Sequence, residues 1–116
     1  MYTRKIGKSL KSSARNIVSI GALVVLTGCT SLLKTAALID VHESFDEQNY
    51  TETLAHIRKA EYLSDLDPLL LAELIYIKAR SFEAMGQKDE SIALYSHLVS
   101  EYKSSQYSSL AKIRLK

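Results

Sequence analysis

The chain has 116 residues, enough for one small domain with a thin core. Its single cysteine, Cys29, excludes an internal disulfide and a cysteine metal cluster. The whole chain has a formal charge of +2, but five of its 15 basic residues lie before residue 29 and all 13 acids lie after it, so residues 29–116 carry −3 and no basic excess to attract nucleic acid.

The first element has three parts. Arg4, Lys5, Lys8, Lys11 and Arg15 form a cationic start without an acid, and residues 17–26 (IVSIGALVVL) are almost wholly apolar. The small residues Thr27 and Gly28 follow, and then Cys29. This is the layout of an export signal. The apolar run is short and glycine-interrupted, whereas a comfortable span takes about 20 apolar residues. A retained membrane span over residues 17–33 is the competing reading. Leu26-Thr27-Gly28-Cys29 resembles the bacterial lipoprotein signal, in which Leu-small-small-Cys marks both acylation and cleavage. The resemblance implies a diacylglyceryl group on the Cys29 thiol, cleavage between Gly28 and Cys29, and acylation of the new amino terminus. Each buried methylene contributes about 0.8 kcal/mol, and two or more chains anchor stably. Thr30 follows the cysteine, where aspartate tends to retain enteric-type lipoproteins in the inner membrane, so the resemblance implies lipid anchoring at the outer membrane, facing the periplasm. No other cofactor is expected. The domain layout is then a signal peptide over 1–28, a tether over 29–34 and a helical domain over 35–116.

A helical pattern starts at about residue 35. Leu38, Val41, His42 and Phe45 recur at three-and-four spacing, and Gln48-Asn49 ends the element. Residues 50–63 form the next predicted helix, with Leu54, Ile57 and Leu63 on one side and Thr51 as a candidate cap. Asp67-Pro68 opens a third, as an N-cap followed by proline at the first helical position. It carries Leu71, Leu74, Ile75, Ile77 and Phe82 to about residue 85, and Gly86 ends it as a left-handed cap. Residues 89 to about 102 are the fourth, with Ile92, Leu94, Tyr95, Leu98 and Val99 apolar. After the polar break at Ser104-Ser105, residues 107–115 carry Leu110, Ala111, Ile113 and Leu115. No stretch shows sustained strand alternation. The expected fold is all-α.

The second and fourth predicted helices begin alike, 38 residues apart: Asn49-Tyr50-Thr51-Glu52-Thr53-Leu54 matches Gln87-Lys88-Asp89-Glu90-Ser91-Ile92. A helix pair recurring at about 34 residues marks tetratricopeptide repeats. Residues 72–105 resemble one such repeat, with Ala79 small, Phe82 aromatic, Gly86 at the turn, Ser91 small and Tyr95 aromatic. Ser91 and Leu98 replace usual alanines, and Lys103 replaces a common proline. Residues 34–67 match less well: Val41 and Thr53 take the small positions, and four extra residues surround the turn at 65–68. The resemblance implies antiparallel hairpins stacked as a short solenoid, about two repeats plus a C-terminal capping helix. A generic helical hairpin bundle is the plainer reading.

In such repeats the first helix of each pair lines the inner face. The resemblance places Glu73, Tyr76, Arg80 and Glu83 there, joined by Leu38, His42 and Phe45 from the first helix and Tyr107, Leu110 and Arg114 from the last. Aromatics with arginine are common interface anchors. His42, His56 and His97 lack a second metal ligand at helical spacing, and no phosphate loop, nucleophile elbow or His-Glu zinc pair is present. The chain is therefore expected to be no enzyme. It resembles small periplasmic tetratricopeptide lipoproteins, which implies a scaffold or assembly factor binding an envelope protein. The alternatives are a pilotin-like escort for a secretin or pilus component and a non-catalytic subunit of a cell-envelope enzyme.

Overall fold

The computed structural model describes residues 35–63 and 65–116, with the side chain of Leu63 excepted. The signal, the cleavage and acylation positions Gly28 and Cys29, the tether, and the side chain expected at Leu63 lie outside the described residues. The described residues form five helices: α1 (residues 35–46), α2 (Tyr50–Leu63), α3 (Pro68–Ala84), α4 (Lys88–Glu101) and α5 (Gln106–Arg114). There is no strand among the described residues, so the fold is all-α, a small domain of repeated helix hairpins.

The hairpins α1–α2 and α3–α4 are built by the same turn, 38 residues apart. In the first, Gln48 N–H donates to the Phe45 carbonyl (3.0 Å) and Asn49 N–H to the Ser44 carbonyl (2.9 Å). In the second, Gly86 N–H donates to the Glu83 carbonyl (3.1 Å) and Gln87 N–H to the Phe82 carbonyl (2.9 Å). Both are Schellman closures, which satisfy carbonyls orphaned at a helix end. The left-handed residue is Gly86 (φ 79°) in one turn and Gln48 (φ 61°) in the other. Gln48 takes this conformation at a steric cost that glycine avoids. Asn49 is thereby freed to open α2: its carbonyl accepts the first helical bond from Thr53 N–H, and its side chain donates to Glu52. The expected cap at Thr51 is thus displaced, since Thr51 already lies inside the first turn.

Asp67 caps α3 as expected, its Oδ1 accepting from Leu70 N–H at 3.0 Å, with Pro68 next in line. Ser105 caps α5 by accepting from Tyr107 N–H. The α4 start has no side-chain cap, but Asp89 and Glu90 in its first turn face the positive end of the helix dipole.

Two core clusters meet at α3. Ala37 and Val41 of α1, Ile57 and Ala60 of α2, and Leu74 and Ile77 of α3 form the first. Ala72 and Ala79 of α3, Tyr95 and Leu98 of α4, and Ala111 of α5 form the second. The small positions of the two hairpins correspond: Val41 and Ala79 are fully buried, as are Thr53 and, nearly, Ser91. Thr53 and Ser91 turn their hydroxyls back onto helix carbonyls, which makes their burial tolerable. Ile92, Leu110, Ile113 and Leu115, expected on apolar faces, are instead exposed. On α5 only Ser108 and Ala111 are buried, so the helix touches the core through a narrow strip.

The close approach of α3 and α4 depends on small side chains. Ala79→Leu would force extra volume against Tyr95 and Leu98 and is expected to lower the unfolding free energy by about 1–3 kcal/mol. Urea denaturation would show it as a lower midpoint, whereas the exposed Ala84→Leu should change stability by less than about 0.5 kcal/mol.

Candidate protein-interaction face

Residues 73, 76, 80 and 83 share one face of α3, because their three-four-three spacing follows the helical repeat. All four are half-buried, and each is met by a neighbouring helix or by another member of the stripe. From α1, His42 Nε2 lies 3.1 Å from Glu73 Oε1. From α5, the Tyr107 ring lies 5.6 Å from that of Tyr76, and Arg114 Nη1 lies 3.6 Å from Glu83 Oε1. From α4, the Tyr95 ring lies 6.0 Å from Tyr76, and its hydroxyl donates to Glu83 Oε2 at 2.8 Å. The Arg80 Nε is 3.4 Å from the same oxygen, within ion-pair range but without hydrogen-bond alignment.

The result is one continuous stripe. An acid pairs with a histidine at one end, a tyrosine pair occupies the middle, and two arginines converge on a single carboxylate at the other. The electrostatics follow from these contacts. Burial is the main reason the Tyr95 hydroxyl is held above its usual value of 10, with the Glu83 hydrogen bond and charge adding to it and Arg80 opposing. The Tyr107 hydroxyl is also raised, again chiefly by burial, with Glu73 adding and a hydrogen bond to Gln106 opposing. The Arg114 guanidinium is raised above its usual value, first by its hydrogen bond to Tyr76, with burial opposing and the Glu83 charge supporting. Both tyrosines therefore remain neutral hydrogen-bond donors, and the Arg114 guanidinium remains a cation. The surface can offer ring faces and fixed polar groups to a peptide or helix laid across it.

Of the ten residues expected on this face, His42, Glu73, Tyr76, Arg80, Glu83, Tyr107 and Arg114 are brought together. Leu38 and Phe45 are half-buried against the first core cluster, and Phe45 also meets Tyr50 edge-on at 5.8 Å. Leu110 shares the three-four spacing of Tyr107 and Arg114 on α5 and is exposed. Tyr95 belongs to the network although sequence reasoning assigns it only a packing role. The signal was present, since a buried tyrosine hydroxyl needs a partner and Glu83 lies in the last turn of α3, close to the hairpin turn.

Among the described residues, no group of three or more His, Cys, Asp or Glu side chains could hold a metal ion, and no helix is long and apolar enough to cross a membrane. Compared with protein-family models, with characterised proteins and with solved structures, the chain matches none.

Proposed function

We propose that this chain is a bacterial lipoprotein, held at the outer membrane through acylated Cys29, whose tetratricopeptide-like helices serve as a scaffold or assembly factor for another envelope protein. The observation that carries the reading is Leu26-Thr27-Gly28-Cys29 at the end of a cationic and then apolar leader. The acyl chains supply membrane affinity without any protein contact. The domain is left free to work through its surface, and the stripe on α3 is the recognition face. Its support is compositional and geometric: two tyrosines and two arginines, half-buried or at the helix edge, are held in place by Glu83 and Glu73 before any partner arrives. A pre-ordered face loses less side-chain freedom on binding.

Cys29→Ser tests the anchor. Labelled palmitate should no longer be incorporated, and the product should keep residues 1–28. Cleavage and acylation that persist in the variant would defeat the lipoprotein reading. The face is tested separately by cross-linking in detergent-solubilised membranes. Tyr76→Ala with Arg114→Ala should lose a cross-linked envelope protein that the parent chain retains. A secretin or pilus component as that protein would favour the escort role, and a cell-wall enzyme the accessory-subunit role.

A further inference from the structure

The two flanks of the stack carry opposite charge, and each has an uncovered outward side. Residues 35–57 contain five acids (Asp40, Glu43, Asp46, Glu47, Glu52) and no lysine or arginine. Residues 102–116 contain Lys103, Lys112, Arg114 and Lys116 and no acid. On α1, burial of Ala37, Val41 and Ser44 turns Ile39, Glu43 and Asp46 outward. Ile39 is 57% exposed and, with Leu38, floors a shallow open groove bordered by Glu43 and Asp46. On α5, burial of Ser108 and Ala111 turns Leu110 and Ile113 outward, and Ile113 is 66% exposed. Among the described residues, Glu43, Asp46 and Glu47 form no ion pair, and neither do Lys112 and Lys116. Each flank thus presents exposed apolar side chains in a segment whose unpaired charges are of one sign.

We propose that these two flanks bind each other between copies of the chain, the outward face of α5 on one copy seating against the outward face of α1 on the next. Leu110 and Ile113 enter the groove floored by Leu38 and Ile39, while Lys112 and Lys116 face Glu43 and Asp46. A two-fold pairing of α5 with α5 would instead bring two sets of cations together, and α1 with α1 two sets of acids. Charge therefore selects the head-to-tail contact. Such a contact uses different surfaces on its two sides, so each added copy leaves one flank of each kind open and assembly continues beyond a dimer. The stack gains the further packing that short helical repeats need, and it gains it from an identical neighbour. The inference does not depend on lipidation, and the groove borders the stripe on α3 at His42.

The test uses the full chain carrying a photo-reactive phenylalanine analogue at position 113, irradiated in cells that also make an isotopically labelled copy. The expected product is an adduct between position 113 of one copy and residues 35–47 of another, with a ladder above the dimer. Lys112→Glu with Lys116→Glu puts acids in place of the unpaired cations of the α5 flank, and Glu43→Lys with Asp46→Lys puts cations in place of two acids of the α1 flank. Each variant alone is expected to lose adduct by about tenfold or more, and the two expressed together should recover it, because opposite charges again meet at the contact. Recovery in the mixture also shows that both variants fold. An adduct to residues 102–116 of the second copy, to lipid or to another protein, no adduct at all, or a mixture no better than either variant alone overturns the proposal.

Discussion

Leu74→Ala is expected to lower the unfolding free energy by about 2–5 kcal/mol, a large share of what a small domain possesses. Leu74 is fully buried and belongs to the cluster that joins α3 to both helices of the preceding hairpin. Its neighbours there are Ala37, Val41, Ile57, Ala60 and Ile77. The alanines among them lie on helix backbone and have no side-chain length with which to fill the space left behind. The removed methyl groups lose their transfer energy, and the residual cavity adds its own cost. Because α3 also supplies Ala72 and Ala79 to the second cluster, loosening one side of α3 weakens the other, and unfolding should remain a single transition. Thermal or urea unfolding followed by helical circular dichroism checks both statements. A loss below about 1 kcal/mol, or a transition split in two, would show that the two clusters are held independently. Leu69→Ala, on an exposed position of the same helix, should cost less than about 0.5 kcal/mol beyond propensity.

Stability is also expected to fall in alkali, and Tyr95 is the reason. Burial and the Glu83 carboxylate raise its ionisation above the usual value of 10. In the unfolded chain the phenol ionises near 10, so above that pH the unfolded state releases a proton that the folded state still holds. The stabilisation is whole below about pH 10 and is lost as pH rises toward the folded value, with a slope of up to about 1.4 kcal/mol per pH unit from this one group. Tyr107 is shifted in the same direction and adds to the slope. Tyr95→Phe should remove the Tyr95 share. At neutral pH it should cost about 1 kcal/mol, since Glu83 loses the 2.8 Å hydrogen bond but keeps Arg80 and Arg114. Urea midpoints at about pH 8 and about pH 11 measure the effect, and parallel falls in the parent chain and the variant would contradict it.

Much of this architecture is legible in the residues alone. Helix starts and stops depend on local chemistry, and local chemistry is written in short stretches of chain. Asp67-Pro68 opens α3, Gly86 closes it, and Tyr50–Leu63 forms a helix because apolar residues recur there at the helical period. The 38-residue recurrence of Asn49 and Gln87 reports a real equivalence, since both residues leave the same turn and open the second helix of a hairpin. The three-four-three spacing of Glu73, Tyr76, Arg80 and Glu83 likewise ensures a shared face, whatever surrounds it.

Other features required the helices to be brought together. Periodicity marks which residues share a side but not which side is covered, so Ile92, Ile113 and Leu115, apolar positions of their helices, emerge as surface. Nothing in the sequence requires Gln48 to take the left-handed position in place of its neighbour Asn49; the turn geometry places it there, because Asn49 is needed to start α2. The union of Tyr95 and Arg114 on Glu83 joins three helices, and no local rule pairs residues so far apart in the chain, whereas Arg80 reaches Glu83 at the local i,i+3 spacing. Local order is set by each residue and its near neighbours, whereas burial and side-chain pairing are set by contacts that exist only after the chain has folded.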